Sequence, residues 1–160
     1  MPVIMENKQA RWRYHILATW EAGIVLTGQE VKSLKTGHGD IRNAYISVRP
    51  AASHGKRRQR FEALLINAHI PPYTKAGPLP SYDPLRPRRL LFHGHELMAM
   101  MGKIQTAGLT LVPLRVYTLN RRLKILVGLA RGKSTIDKRA TIRRRETERE
   151  LRRYVLKRKR

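Results

Sequence analysis

Cysteine is absent from the chain, which excludes a disulfide framework, a thiolate nucleophile and thiolate-held zinc. No apolar run reaches the length needed to cross a bilayer, and the one at residues 1–8 is too short for a secretory leader. A cytoplasmic protein without a membrane partner is therefore expected. Catalytic signatures are missing too: there is no G-x-S-x-G elbow, no phosphate-cradling glycine loop and no H-E-x-x-H. Asp40, Glu62 and Asp83 stand isolated, which gives little support to an acidic metal site of the nuclease kind. His93 and His95 flank Gly94 with only Glu96 nearby, and read as surface or helix-capping histidines rather than metal ligands. Met98, Met100 and Met101 recur at helical spacing and read as core filler. The expectation is a protein that is not an enzyme and carries neither metal nor cofactor.

The scarcest charged groups are the acids, with 11 Asp and Glu against 34 Lys and Arg and a formal net charge of +23 over 160 residues. Such self-repulsion calls for a polyanion to neutralise it, and phosphate contacts that release counterions supply the affinity. The charge is also unevenly written. Residues 131–160 hold fourteen basic and four acidic residues, and residues 143–150 contain no hydrophobic side chain. That segment cannot bury enough apolar surface to offset its ordering entropy, so it is expected to be a basic tail, disordered when free. It nevertheless has helical grammar. Ser134 or Thr135 can cap it, and Glu146, Glu148 and Glu150 sit three or four residues from arginines. A helix that forms only against RNA satisfies both properties.

Residues 1–130 read as mainly β. Strands are expected at 14–20 and 24–26 around a Glu21-Ala22-Gly23 turn, then at 44–48, 61–70, 89–92, 109–118 and 124–129. Helices are expected at 28–35, stopping at Gly37, and at 95–106, with Leu97, Met101 and Ile104 on one face and a stop at Gly108. Short strands with helices between some of them suggest a small closed or partly open barrel. Residues 50–60 carry Lys56, Arg57, Arg58 and Arg60 and read as a basic hairpin tip; the six prolines of 71–87 make a stiff irregular crossing.

Basic residues alternate with aromatics at Arg11-Trp12-Arg13-Tyr14, at Arg88-Arg89-Leu90-Leu91-Phe92-His93 and at Arg115-Val116-Tyr117. Exposed rings stack unpaired bases while guanidinium groups take phosphates, a pairing suited to looped or single-stranded RNA. Half of these rings should face the core instead. Trp12, before the first expected strand, is the best stacking candidate. No helix-turn-helix, zinc finger or basic zipper supports duplex DNA.

Five blocks of the chain resemble one family, the SsrA-binding or SmpB proteins. The run from Trp20 through Glu21-Ala22-Gly23-Ile24 and Gly28-Gln29-Glu30-Val31-Lys32-Ser33-Leu34 is similar to its E-A-G-I-x-L-x-G-x-E-V-K-S-L signature. Asp83-Pro84-Leu85-Arg86-Pro87-Arg88-Arg89-Leu90-Leu91 resembles its D-P-x-R-x-R-K-L-L. Gly108 to Leu114, Gly128 to Lys133 and Asp137-Lys138-Arg139 complete the set in order. The resemblance implies an OB-fold-like antiparallel β-barrel with two or three flanking helices (residues 1–130), followed by the tail (131–160). It implies binding to the tRNA-like domain of transfer-messenger RNA and delivery to stalled ribosomes, with elongation factor Tu joining through the shared RNA. Glu21, Leu91 and His93 match RNA-binding positions; Trp12, Lys32, Arg88 and Arg89 are the further candidates of that surface. Trp12 stands where the family usually has His, and His93 where it often has Asn. For the tail, which would become helical in the empty messenger channel at the decoding centre of the small subunit, the candidates are Gly132 as hinge, Lys133, Asp137, Lys138, Arg139, Arg143, Arg144 and Arg145. A structural ribosomal protein or another OB-fold translation factor is the alternative.

Overall fold

Side chains that alternate between apolar and polar environments set the strands of this chain, and two register breaks decide which face each side chain reaches. The computed structural model describes residues 2–51, 61–77, 81–105 and 108–133. Expectations that fall on other residues lie outside the described residues: the basic hairpin tip at 52–60, and the tail candidates Asp137, Lys138, Arg139, Arg143, Arg144 and Arg145.

In chain order the elements are β1 (Val3–Glu6), α1 (Ala10–Arg13), β2 (Tyr14–Ile24), α2 (Gly28–Lys35), β3 (Tyr45–Pro50), β4 (Phe61–Ile66), a single 3-10 turn (Thr74–Ala76), β5 (Arg88–Leu91), α3 (Gly94–Ile104), β6 (Leu109–Leu119) and β7 (Arg122–Gly132). All pairings are antiparallel. The strands β6, β3, β4, β5, β2 and β7 follow one another around a ring that the β6–β7 pairing closes, and β1 pairs with the C-terminal half of β6. The result is the mainly β barrel with flanking helices that the strand spacing implied.

The interior is filled by Ile46, Leu65, Leu90, Leu111, Val116, Ile125, Val127 and Leu129. A smaller apolar cluster lies on the outer wall, where Ala10 of α1 covers Val112, Leu114 and Ala130. The register breaks make both clusters possible. Ile16 pairs with Ala130 and Ala18 with Leu129, so Leu17 is an extra residue that reverses parity: Ile16 joins the outer cluster and Ala18 the inner one. On β6 the break between Pro113 and Arg115 does the same for Leu114, and it is where a proline fits a strand. The Pro113 carbonyl left by that bulge accepts a hydrogen bond from buried Asn7 Nδ2 at 3.1 Å, and Asn7 Oδ1 accepts from the Ala10 N–H that opens α1.

Two expectations are corrected. No turn interrupts β2 at Glu21-Ala22-Gly23; the ladder to β7 runs unbroken through these residues, with Ala22 buried. Gly23 serves close packing instead of a turn, since a Cβ there would meet Leu91 Cβ at 3.4 Å. The strand expected over 61–70 ends at Ile66, because Asn67 takes a positive φ of 59°. The helix at 28–35 forms as read. Thr27 caps it, its Oγ1 accepting from the Glu30 N–H while Glu30 Oε2 accepts from the Thr27 N–H at 2.8 Å. α3 turns Leu97 and Met100 inward, with Met101 and Ile104 only half-buried.

Candidate nucleic-acid interface

Strand pairing draws one row of residues across the barrel's outer wall. Leu91 of β5 pairs with Gly23 of β2, Gly23 with Lys124 of β7, and Lys124 with Tyr117 of β6. Directly paired residues project to the same side of a sheet, so these side chains share one face. Glu21, two residues before Gly23, projects beside them. Its carboxylate accepts a hydrogen bond from the Tyr117 hydroxyl and pairs with Lys124 Nζ at 3.1 Å. The Tyr117 hydroxyl and the Lys124 ammonium both hold Glu21 below the usual carboxylate range, against a smaller opposing effect of burial. Burial and the neighbouring carboxylate push Tyr117 up to about 12. Glu21 is thus a fixed anion that aims Lys124.

Beside this row lies a groove of about 520 Å³ between the β2–β5 junction and the β6–β7 hairpin. Its floor is apolar (Ile24, Leu26, Val31 and Phe92) and its rim carries Leu91, His93, Arg121, Arg122 and Lys124. Leu91 is 50 % exposed, an unusual position for a leucine with a cationic rim around it. His93 precedes α3, donates its backbone N–H to Glu96 Oε2 at 2.9 Å, and stacks its ring on His95 at 5.6 Å between centroids and 12° between planes. An apolar floor with exposed rings and a cationic rim can take a nucleotide base or sugar below and phosphates around it. Among the described residues no group of three or more His, Asp or Glu is arranged to hold a metal ion.

The remaining candidates divide. Arg89 is exposed on β5, on the same side as Leu91. Arg88 is not on the surface. Strand alternation sends neighbouring residues to opposite faces, and Arg88 is fully buried, donating to Glu30 Oε1 at 2.9 Å, the Ala68 carbonyl at 2.6 Å and the Pro84 carbonyl at 2.8 Å. Arg86 also donates to Glu30, from Nε at 2.9 Å. Burial alone would raise the Glu30 pKa, but hydrogen bonds from Arg86, the Thr27 N–H and Arg88 outweigh it and keep the carboxylate charged. This buried cluster ties α2 to β5 and so sets the edge that carries Arg89 and Leu91. Lys32 is exposed on α2, its ammonium 5.9 Å from the Tyr73 ring centroid.

Trp12 lies elsewhere. It is half-buried on α1, at the end of β2 where Tyr14 pairs with Gly132. Nine residue steps of strand lead from Tyr14 to Gly23, about 30 Å at the usual rise. Gly132 is held in that ladder, and Lys133 is tied down as well, its N–H to the Arg13 carbonyl and its Nζ to the Arg11 carbonyl, each at 3.0 Å. The hinge expected at Gly132 is therefore paired strand. A second concavity of about 320 Å³ opens at this end, with Arg13, Tyr14, Arg42 and Tyr45 in its lining. The chain thus offers two cationic ends of one long ladder, with the groove at one and Trp12 and the exit toward the tail at the other.

Sequence reading missed Lys124, Arg121 and Arg122. Lys124 sits 33 positions from Leu91 and comes beside it only through two successive pairings across Gly23. The hairpin at Asn120-Arg121 lacks the glycine that usually announces such a turn.

Comparison with known proteins places these features in a known group. The SmpB protein family matches residues 4–157. The SsrA-binding protein of Trichodesmium erythraeum is 43 % identical over 153 residues, covering 96 % of this chain and 92 % of the relative. That of Thermosynechococcus vestitus is 42 % identical over 156 residues, covering 98 % and 96 %. A solved chain from a structure described as "tmRNA-SmpB: a journey to the center of the bacterial ribosome" superposes with a TM-score of 0.64 at 44 % identity, over 84 % of this chain and 87 % of the other.

Proposed function

The chain belongs to the SmpB protein family, and on that premise we propose that it binds the tRNA-like domain of transfer-messenger RNA (SsrA RNA) and delivers it to stalled ribosomes in trans-translation. The observation that carries this reading is the groove, where Leu91, His93 and Lys124 meet on one face with an apolar floor beneath. A rigid barrel wall suits shape-selective contact with a folded RNA, the mode by which RNA is most often told apart. Leu91 covers a sugar or base edge, His93 stacks, and Lys124 and Arg89 meet phosphates, while Glu21 acts through Lys124.

The opposite end does different work. Residues 134–160, with Asp137, Lys138, Arg139 and the Arg143-Arg144-Arg145 run, enter the empty messenger channel of the small subunit and become helical where vacant RNA walls supply counter-charge. Trp12 and Lys133 lie at the root of that segment, about 30 Å from the groove. The protein is an adaptor in the cytoplasm with no chemistry of its own, and elongation factor Tu meets it through the shared RNA.

The test is twofold. RNA that co-purifies with the full chain is sequenced, and recovery of ribosomal RNA without transfer-messenger RNA would refute the assignment in favour of a ribosomal protein. A chain lacking residues 134–160 should keep its affinity for the tRNA-like domain and lose tagging on stalled ribosomes. Loss of RNA binding on that deletion would contradict the division between the two ends.

A further inference from the structure

We propose that the β6–β7 hairpin is a preset phosphate clamp for the RNA lying across Leu91 and His93, and that Arg121 holds an unfavourable backbone geometry in order to serve it; this rests on the function proposed above. Leu119 pairs with Arg122, so the loop consists of Asn120 and Arg121 alone. Both have positive φ, 48° and 62°. Two-residue hairpins need this left-handed pair because its twist matches that of the strands. Asparagine tolerates the conformation, but the β-carbon of arginine crowds it, and glycine is the relaxed occupant of the second position. Strain kept at one residue marks a place where the side chain does something the relaxed residue cannot.

The side chain has a defined place to act. Arg121 and Arg122 are exposed and line the groove together with Lys124 and His93. Five cations of the described residues are matched to acids: Arg42 with Asp40, Arg49 with Glu62, Arg86 and Arg88 with Glu30, Lys124 with Glu21. Neither Arg121 nor Arg122 has an acidic partner among the described residues, and no acidic side chain lines the groove. A tight two-residue loop holds their backbones still, so little ordering remains to be done on binding. Guanidinium groups, planar and with several donors, fit phosphate oxygens better than an ammonium does. The occupant is therefore the sugar–phosphate backbone of the RNA whose bases or sugars rest on Leu91.

The hypothesis makes stability and binding move in opposite directions. Arg121→Gly in the full chain relaxes the turn and should raise the melting temperature by about 2–4 °C. The same variant should bind the tRNA-like domain of transfer-messenger RNA about fivefold more weakly at 0.15 M salt, with the slope of log affinity against log salt reduced by about 0.9, the effect of one lost counterion release. Arg121→Gly with Arg122→Ala should lose roughly 25-fold and about 1.8 in slope. A stabilised Arg121→Gly protein with unchanged affinity and salt slope would overturn the clamp, as would a variant that is less stable than the parent. Leu91→Asp is measured alongside. If it loses binding while the hairpin variants keep theirs, only the clamp fails; if the unaltered chain does not bind this RNA, the proposed function itself fails.

Discussion

Replacing Glu30 by Gln should unfold this protein far more readily than any exposed charge change, and the buried cluster shows why. The Glu30 carboxylate accepts from Arg86 Nε and Arg88 Nε, each at 2.9 Å, from Arg86 Nη2 at 2.5 Å and from the Thr27 N–H at 2.8 Å. Glu30 and Arg88 have no solvent exposure, whereas the Arg86 side chain keeps 33 % of its own. Glutamine preserves the volume, but it removes the charge and turns one acceptor into a donor facing an arginine. Arg88 then remains a buried cation with only the neutral carbonyls of Ala68 and Pro84. Breaking a buried pair in this way costs about 3–5 kcal/mol. At roughly 3 °C per kcal/mol for a chain of this size, the melting temperature should fall by about 9–15 °C, read by circular dichroism. Arg86 can recover water, so it adds little. Adding Arg88→Met removes the orphaned cation, and the double variant should regain part of the loss. A Glu30→Gln cost below about 1 kcal/mol, or a double variant less stable than the single, would refute the reasoning. The pH dependence has a definite sign. The folded-state pKa of Glu30 lies below its ordinary 4.5, so its contribution is present above about that pH and is lost as pH falls through the depressed value. Glu30→Gln should flatten that acid limb.

Two further predictions concern the row on the outer wall. Leu91→Ala should weaken binding of the tRNA-like domain by about 1 kcal/mol, near fivefold, because about half of the side chain is left to be covered by a ligand; stability should stay within about 0.5 kcal/mol, and a large drop in melting temperature would mean that Leu91 is packing rather than contact. Tyr117, raised to about 12, contributes stability that is complete below its ordinary 10.0 and is lost as pH rises through about 12. Absorbance at 295 nm should show a late tyrosine ionisation that Tyr117→Phe abolishes, and an unchanged titration in that variant would contradict the hydrogen bond to Glu21.

Local signals in the chain were enough for its two longer helices and most of its strands. Thr27 and Glu30 state the start of α2 and Gly37 its end; Gly108 bounds α3. Alternation in β4 through β7 placed those strands within a few residues. β1 escaped because four residues carry too little pattern, and α1 because its start depends on Asn7, whose role is visible only once Pro113, 106 positions away, is beside it. Glu21-Ala22-Gly23 looked like a turn because glycine marks turns more often than it marks a close approach, here to Leu91. Arg88 was a different kind of miss. The expected strand began at Arg89 and left Arg88 outside it; the strand begins at Arg88, so the adjacent arginines face opposite ways and only one of them is exposed. Leu91 and His93 were legible through the family resemblance, but the groove itself was not, since Leu91, Gly23 and Lys124 share no local pattern and meet through pairing.

Net charge by itself places no cation anywhere, and the fate of the acids does more to explain the interface than the number of bases. Of the seven acidic residues in the first 130, Glu21, Glu30, Asp40 and Glu62 sit in ion pairs, while Asp83 accepts from the Leu85 N–H and Glu96 from the His93 N–H. Each of these six is spent on holding backbone or side chain in place, and none of the seven lines the groove. A uniformly basic surface would bind any polyanion through counterion release. Here the carboxylates instead fix where Lys124 points and where the β5 edge lies, a rigid pattern of the kind that selects by shape rather than by charge alone.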